Sequence, residues 1–298
     1  MTSQDHTGDG QIKLADVEIR NTAMVISVNT NPGALIALQN LNTTESDLAT
    51  AQKQVSTGLA VADAQDNGAI FAIAQNQRAT SSALTAVTQS LQRVQSTVSV
   101  ASSSGTTVSD LLNQLKSAAL SASDTSTNTT SREALNATFT SILHEIKSVV
   151  SNSSFNGINL IDGSVTSLAA LASTDGSSKL TVAAQSLAFG GANITLSATQ
   201  TINSVTAATS ALALVNSSIT NVNNALAKLG SSANALQTQI TFTADLQDTI
   251  DTGIGNLVNA NLAKESATLT ALQTKQSLGV QALSIANQAP QALLQLFR

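Results

Sequence analysis

An apolar residue returns every three or four positions along much of this chain, and no other feature restricts the possible folds as much. From Leu84 the line reads Leu84, Val87, Leu91, Val94, Val98, Ala101, Gly105, Val108, Leu112, Leu115 and Ala119. Steps of three and four keep one face of a helix turned toward a partner helix over many turns. The same spacing recurs in Leu135, Phe139, Ile142 and Ile146, and again in Leu212, Val215, Ile219, Val222 and Leu226. Positions between these are mostly Ser, Thr, Gln, Asn and Ala. Such a chain is built for lengthwise helix packing, within itself and against copies of itself.

Charge and chemistry narrow the functional classes. Only 10% of the residues are charged, against roughly 25% in average soluble proteins. A net charge of −5 and the absence of any basic run argue against binding a phosphate backbone. With no cysteine, neither a disulfide nor a cysteine–metal site can form. No long uncharged apolar run suggests membrane insertion. Residues 1–23 are polar and lack the apolar stretch of a cleaved secretory leader. His144-Glu145 opens like the zinc pattern with two histidines four apart on a helix, but position 148 is serine. No phosphate-binding glycine loop and no nucleophile elbow occurs. The expectation is a protein that is not an enzyme and carries no cofactor. The several Asn-x-Ser/Thr triplets are what chance supplies in a chain this rich in Asn, Ser and Thr.

Start and stop residues place the helices. Pro32-Gly33 precedes the apolar positions Leu35, Leu38, Leu41, Leu48 and Val55, and Gly58 suits the left-handed residue beyond a helix end. Residues 59–68 read as an irregular bridge, followed by the long seam over about 69–121. Thr130 and Glu133 have capping-box spacing for the next helix. Asn156-Gly157 and Asp162-Gly163 are turn dipeptides. Between 164 and about 203 the period changes, and Lys179–Ala183 and Asn193–Leu196 read as short strands in an insert that packs on its neighbours. Helical spacing returns from Ala208. The last helix carries Leu262, Leu269, Leu272, Leu283, Leu293 and Phe297, with Pro290 expected to kink or end it. Gly105 and Gly230 inside helical runs are either hinges or points of close packing. The fold class expected is mainly α: a long antiparallel helical bundle or coiled-coil rod with a small β-containing mid-chain insert.

Turns and ends carry a family likeness. Met24-Val25-Ile26-Ser27-Val28-Asn29-Thr30-Asn31 resembles the N-terminus of bacterial flagellins. Val55-Ser56-Thr57-Gly58, Ala64-Gln65-Asp66-Asn67-Gly68-Ala69 and Phe155-Asn156-Gly157 with Leu160-Ile161-Asp162-Gly163 are similar to the blocks that follow there. Most specific is the end: Asn261-Leu262-Ala263-Lys264-Glu265-Ser266, the run Leu278-Gly279-Val280-Gln281-Ala282-Leu283-Ser284-Ile285-Ala286-Asn287-Gln288, and Leu296-Phe297-Arg298. The ordered set resembles the short flagellins of alphaproteobacteria.

The resemblance implies an extracellular structural subunit that polymerises into the flagellar filament for swimming. It implies that 25–65 and 256–298 pair as a coiled coil in the filament core. There Leu35, Leu38, Leu41, Leu48, Val55, Leu262, Leu269, Leu272, Leu283, Leu293 and Phe297 form the interface. It further implies a helical wall of 66–163 and 204–255 and an outward insert of 164–203, while 1–24, which shows no sustained period, is expected to be a disordered extension. Wall packing falls to Leu84, Val87, Leu91, Val94, Val98, Val108, Leu112, Leu115, Leu135, Phe139, Ile142, Ile146, Leu212, Val215, Ile219, Val222 and Leu226. Partners implied are other copies of the chain, the flagellar type III export apparatus, a chaperone on the C-terminal segment, and the hook-associated and cap proteins, with no nucleic acid and no membrane insertion. The alternatives are a hook–filament junction protein and a helical adhesin or effector that does not polymerise.

Three departures from the family pattern stand out. Residues 1–23 precede Met24, where the family normally starts, so Met24 is the expected native first residue. Where flagellins recognised by Toll-like receptor 5 carry Leu-Gln-Arg-Val-Arg-Glu-Leu, this chain has Leu112-Asn113-Gln114-Leu115-Lys116-Ser117-Ala118, although Glu145 matches a second family contact. The candidate receptor region is thus Gln114, Lys116, Ala118 and Glu145, and weak activation is expected. Third, the insert's Ser and Thr hydroxyls are either O-glycosylation sites or simply a solvated surface.

Overall fold

The computed structural model describes residues 30–296, with side chains as far as Gln288. In chain order the elements are α1 (Pro32–Thr57), α2 (Ala64–Ser123), α3 (Thr129–Asn152), β1 (Ser154–Phe155), β2 (Ile158–Asn159), β3 (Ser167–Leu171), β4 (Lys179–Ala183), α4 (Val205–Val258) and α5 (Leu262–Leu296). The fold is mainly α, and its strands form two small antiparallel pairs, β1 with β2 and β3 with β4. Contacts divide the chain into two compact units, one holding α1 and α5 and the other comprising Asp63–Val258. The flagellin-like start at Met24 and the extension of 1–24 lie outside the described residues.

In the first unit, α1 is set by its ends. The Asn31 side chain accepts a hydrogen bond from the Ala34 amide at 3.2 Å, and Pro32 supplies a preset φ at the first helical position. Gly58 closes the helix in the left-handed region (φ 71°), its amide donating to the Gln54 carbonyl at 2.9 Å. Helices α1 and α5 run antiparallel, since Asn31 reaches Ala286, Gly279 lies against Leu41, and Leu59 bridges Asn259. Leu41, Thr44, Leu48 and Ala51 are buried between them.

Pro290 does not end α5, which continues to Leu296. A proline has no amide hydrogen, so the carbonyl four residues back loses its helical donor. That carbonyl belongs to Ala286, and the Asn31 side-chain amide donates to it at 2.6 Å. The residue that caps α1 therefore fills the gap the proline opens in α5.

In the second unit, α2 and α4 lie antiparallel along their length. Gln95 donates to Gln237 at 2.8 Å, Ser109 to Asn223 at 3.3 Å, and Gln247 to Thr85 at 3.2 Å. The seam between these polar pairs is the core. Val87, Leu91, Val94, Val98, Val108, Leu112 and Leu115 are buried with Val215, Val222, Leu229 and Leu236. Helix α3 adds Phe139, Leu143 and Ile146 to the same cluster. Removing each such side chain from water contributes roughly 1.5–3 kcal/mol before ordering costs. The helices are rich in Ser and Thr, and many of these hydroxyls bond back to a carbonyl four residues earlier, as Thr97 does to Arg93 and Ser218 to Leu214.

Several ends differ from the sequence reading. Helix α2 begins at Ala64, inside the expected irregular bridge. Asp63 and Asp66 form a reciprocal capping box there, and Asn67 (φ −162°, ψ 101°) interrupts the helix and caps it again through Ile70. The cap of α3 is Asn128, whose side chain accepts from the Ser131 amide at 2.8 Å, rather than Thr130. Arg132 joins the two helices by donating to the carbonyls of Ala122, Asp124 and Thr127, two of which lie at the end of α2.

The insert packs on the helices of its own unit. In β3 and β4, Ala170 and Val182 are buried while the residues flanking them in each strand are exposed or half-buried. The Leu171 amide donates to Ser90 of α2 at 3.1 Å. Asn193–Leu196 is not a strand. Gly190 in the left-handed region (φ 71°) turns the chain, only a Phe189–Ile194 bridge forms, and the Thr195 amide is taken by Ser218 of α4 at 3.1 Å. Ile194 and Leu196 are nevertheless fully buried. The apolar content of that segment reflects packing, not sheet pairing.

Candidate functional site

What this chain offers a partner is helix surface. Among the described residues no group of three or more His, Cys, Asp or Glu is placed to hold a metal, and no helix is long and apolar enough to cross a membrane. Asp175 and Asp124 have lowered pKa values, both through local hydrogen bonds. Ser173, then Ser177, hold Asp175 down to about 2, and the Ser126 amide lowers Asp124. Both are exposed loop residues that shape turns.

The terminal helices separate their apolar residues into two sets. Leu41 and Leu48 are buried inside the α1–α5 pair, and Val55, Leu269, Leu272 and Leu283 are half-buried. Leu35 (59% exposed), Leu38, Leu262, Leu278, Val280 and Ile285 (69% exposed) face outward. A groove of about 570 Å³ runs between the two helices, lined by Ile36, Leu41, Leu278, Gly279 and Ala282 among others. The side chains of Leu293 and Phe297 lie outside the described residues.

The longer helices behave differently. Leu84, Val87, Leu91, Val94, Val98, Val108, Leu112, Leu115, Phe139, Ile142, Ile146, Val215 and Val222 are buried, while Leu135, Leu212, Ile219 and Leu226 pack at the edge of the core. Sequence periodicity did not single out Leu187, Ile194, Leu196 or Ile202, which the insert adds to that core. Nor did it find Asn159. The buried Asn159 side chain donates to Val150 at 2.7 Å and accepts from the amides of Ile161 and Asp162, tying the end of α3 to the turn after β2. In the candidate receptor region Gln114, Lys116 and Glu145 are exposed. Ala118 is 8% exposed and presents almost no surface, because it falls on the core side of α2.

These features define a structural protein whose working parts are helix faces and whose terminal helices carry exposed apolar side chains among the described residues. Residues 28–166 match the bacterial flagellin N-terminal helical region and 212–297 match the bacterial flagellin C-terminal helical region, so the two matches flank most of the insert. The chain is 50% identical over 272 residues to flagellin FljM of Caulobacter vibrioides, covering 91% of this chain and 98% of that one. It is 35% identical over 289 residues to a flagellin of Brucella melitensis, covering 91% and 99% respectively. The crystal structure of Bacillus cereus flagellin aligns with a TM-score of 0.46 at 18% identity, covering 52% of this chain and 88% of that one. The chain belongs to the flagellin family, in its short alphaproteobacterial form. It is a structural subunit of the extracellular bacterial flagellar filament, and its partner in that filament is itself.

Proposed function

We propose that the two units divide the work of the filament. The α1–α5 pair forms the filament core, and the unit of α2, α3 and α4 forms the surrounding wall, with 164–203 outermost. The exposure of Leu35, Leu38, Leu262 and Ile285 carries this reading. Fully burying such a side chain contributes roughly 1.5–3 kcal/mol, and the part still exposed on each of these four is the share a second copy can cover. Leu41 and Leu48 then hold the pair together, while the outward residues join copies. Such a contact between unlike surfaces that does not close on itself produces an open helical polymer.

The remaining partners follow from the same assignment. The export apparatus receives the chain, a chaperone covers the C-terminal segment before assembly, and the hook-associated and cap proteins bound the polymer. The chain has no enzymatic role in this scheme. The receptor-facing strip of α2 and α3 is weakly active, because Gln114 replaces an arginine whose guanidinium offers several directional donors. A nanomolar response of receptor-reporter cells to the purified monomer would contradict that.

The polymer assignment is tested by negative-stain electron microscopy of the protein seeded with sheared filaments. Long filaments are expected from the full chain, and none from chains lacking 256–298 or Pro32–Thr57. Elongation that persists after either deletion would remove the terminal pair from the core. Short capped assemblies would indicate a junction protein.

A further inference from the structure

The chain has six phenylalanines, and among the described residues two are exposed, Phe155 and Phe242. Their surroundings are complementary. Phe155, beside the β1–β2 turn, stands between two hollows of about 160 and 260 Å³ on α2, and Arg93 lines both. Among the described residues the Arg93 guanidinium makes no hydrogen bond and no ion pair. Phe242 heads a stripe on α4 with Leu246, Gly253 and Leu257, at intervals that repeat nearly the same direction on a helix. Leu246 and Leu257 are exposed as well. Asp245, three residues from Phe242 and therefore its neighbour on the helix surface, is exposed and has no side-chain partner among the described residues.

The two charges sit differently on their helices. Arg93 follows the seam residue Leu91 by two positions, and Asp245 follows the buried Thr243 by two. Two residues turn a helix by about 200°, so Asp245 faces away from its buried seam, whereas Arg93 stands at the edge of its own, three and four residues from the buried Ser90 and Thr97. Both patches belong to the same compact unit, and among the described residues no hydrogen bond or ion pair joins Arg93 to Asp245 within one copy. Arg and aromatic side chains are the types that anchor interfaces, and this chain has few of either.

We propose that the Arg93–Phe155 surface of one copy receives the Phe242–Leu257 stripe of α4 from the next copy, with Arg93 meeting Asp245 or a carboxylate near it. This rests on the polymer reading above and assigns a side-to-side contact to the wall unit. The contact joins unlike faces, so it propagates rather than closing a dimer. It contributes an electrostatic component to a polymer otherwise held by aliphatic surface.

The absence of native cysteine makes the test direct. Phe155→Cys or Gln92→Cys is combined in one chain with Phe242→Cys, Leu246→Cys or Leu257→Cys, assembled on sheared seeds and oxidised. At least one pairing is expected to give a ladder of covalent multimers from filaments and none from monomers. Separately, Arg93→Glu is expected to slow seeded elongation about tenfold, and Asp245→Arg in the same chain to restore it. Unchanged circular dichroism and melting of each monomer show that the fold is retained. Intact filaments in which no pairing cross-links, or in which Arg93→Glu elongates as the parent does, would overturn the contact while leaving the polymer reading standing. Failure of the parent chain itself to elongate on seeds would overturn both.

Discussion

Gly105 and Gly230 look alike in the sequence, each a glycine inside a long helix, and the structure gives them opposite roles. A Cβ built on Gly105 lies 2.7 Å from the Leu226 Cδ2 methyl and 3.8 Å from Leu187, so this glycine lets α4 and the insert approach α2. A Cβ on Gly230 meets nothing within 4 Å. Replacing either glycine by alanine reduces the freedom of the unfolded chain, a gain of roughly 0.5–1 kcal/mol. At Gly230 that gain stands alone. At Gly105 it is opposed by the shift forced on the Leu226 methyl, the far end of a half-buried side chain, which puts the cost near the low end of the overpacking range of about 1–3 kcal/mol. The two substitutions are therefore expected to differ by about 1 kcal/mol, Gly230→Ala raising stability and Gly105→Ala leaving it nearly unchanged. For a unit of this size each kcal/mol moves the melting temperature by about 2–4 °C, readable by circular dichroism of the full chain. Adding Leu226→Ala to Gly105→Ala removes the clashing methyl, so the pair should cost less than the sum of the single changes. Equal and positive shifts for the two glycines would refute the close-approach argument at Gly105.

Three further outcomes follow from particular contacts. Asn31→Ala removes both the α1 cap and the donor to Ala286. A lost cap costs about 1 kcal/mol and an unpaired carbonyl about 1–3, so faster amide exchange is expected at the start of α1 and in α5 around Ala286, with α2 unaffected. Asn159→Ala takes a partner from Val150 and from two amides. A loss of about 2–4 kcal/mol is expected in urea titrations, and a change under 0.5 would show that water replaces it. Asp175 has a folded pKa of about 2 against an ordinary 3.8. Its carboxylate therefore favours the folded loop fully above pH 4, and this contribution is lost as pH falls toward 2. Side-chain NMR titration of the 173–178 loop checks this, and a midpoint near 3.8 would refute the serine cradle.

Local chemistry made much of the fold legible. The seam from Leu84 to Ala119 could be read directly, because a three-and-four period is a property of one helix and needs no knowledge of its partner. Pro32 and Gly58 marked the ends of α1 for the same reason, their effect being confined to their own backbone. Errors arose where a local pattern had rivals. Thr130 and Glu133 satisfied a capping rule, yet Asn128 two residues earlier caps more directly. Asn193–Leu196 has strand composition, but its amide at Thr195 bonds to a serine on α4 instead of a neighbouring strand.

The sequence by itself determined that this is a long-helix protein without cysteine chemistry, and which face of each helix is apolar. Tertiary structure alone decided how each face is used. Leu35 and Leu41 belong to the same apolar pattern, but Leu41 is covered by α5 while Leu35 is not. Pro290 reads as a helix break until Asn31, 255 positions before Ala286, is found supplying the donor that the Ala286 carbonyl lacks. Periodicity records only the direction a side chain takes from its own helix axis. Whether that direction ends in a packed neighbour, an open notch such as Gly230, or solvent reserved for another copy depends on atoms far away along the chain.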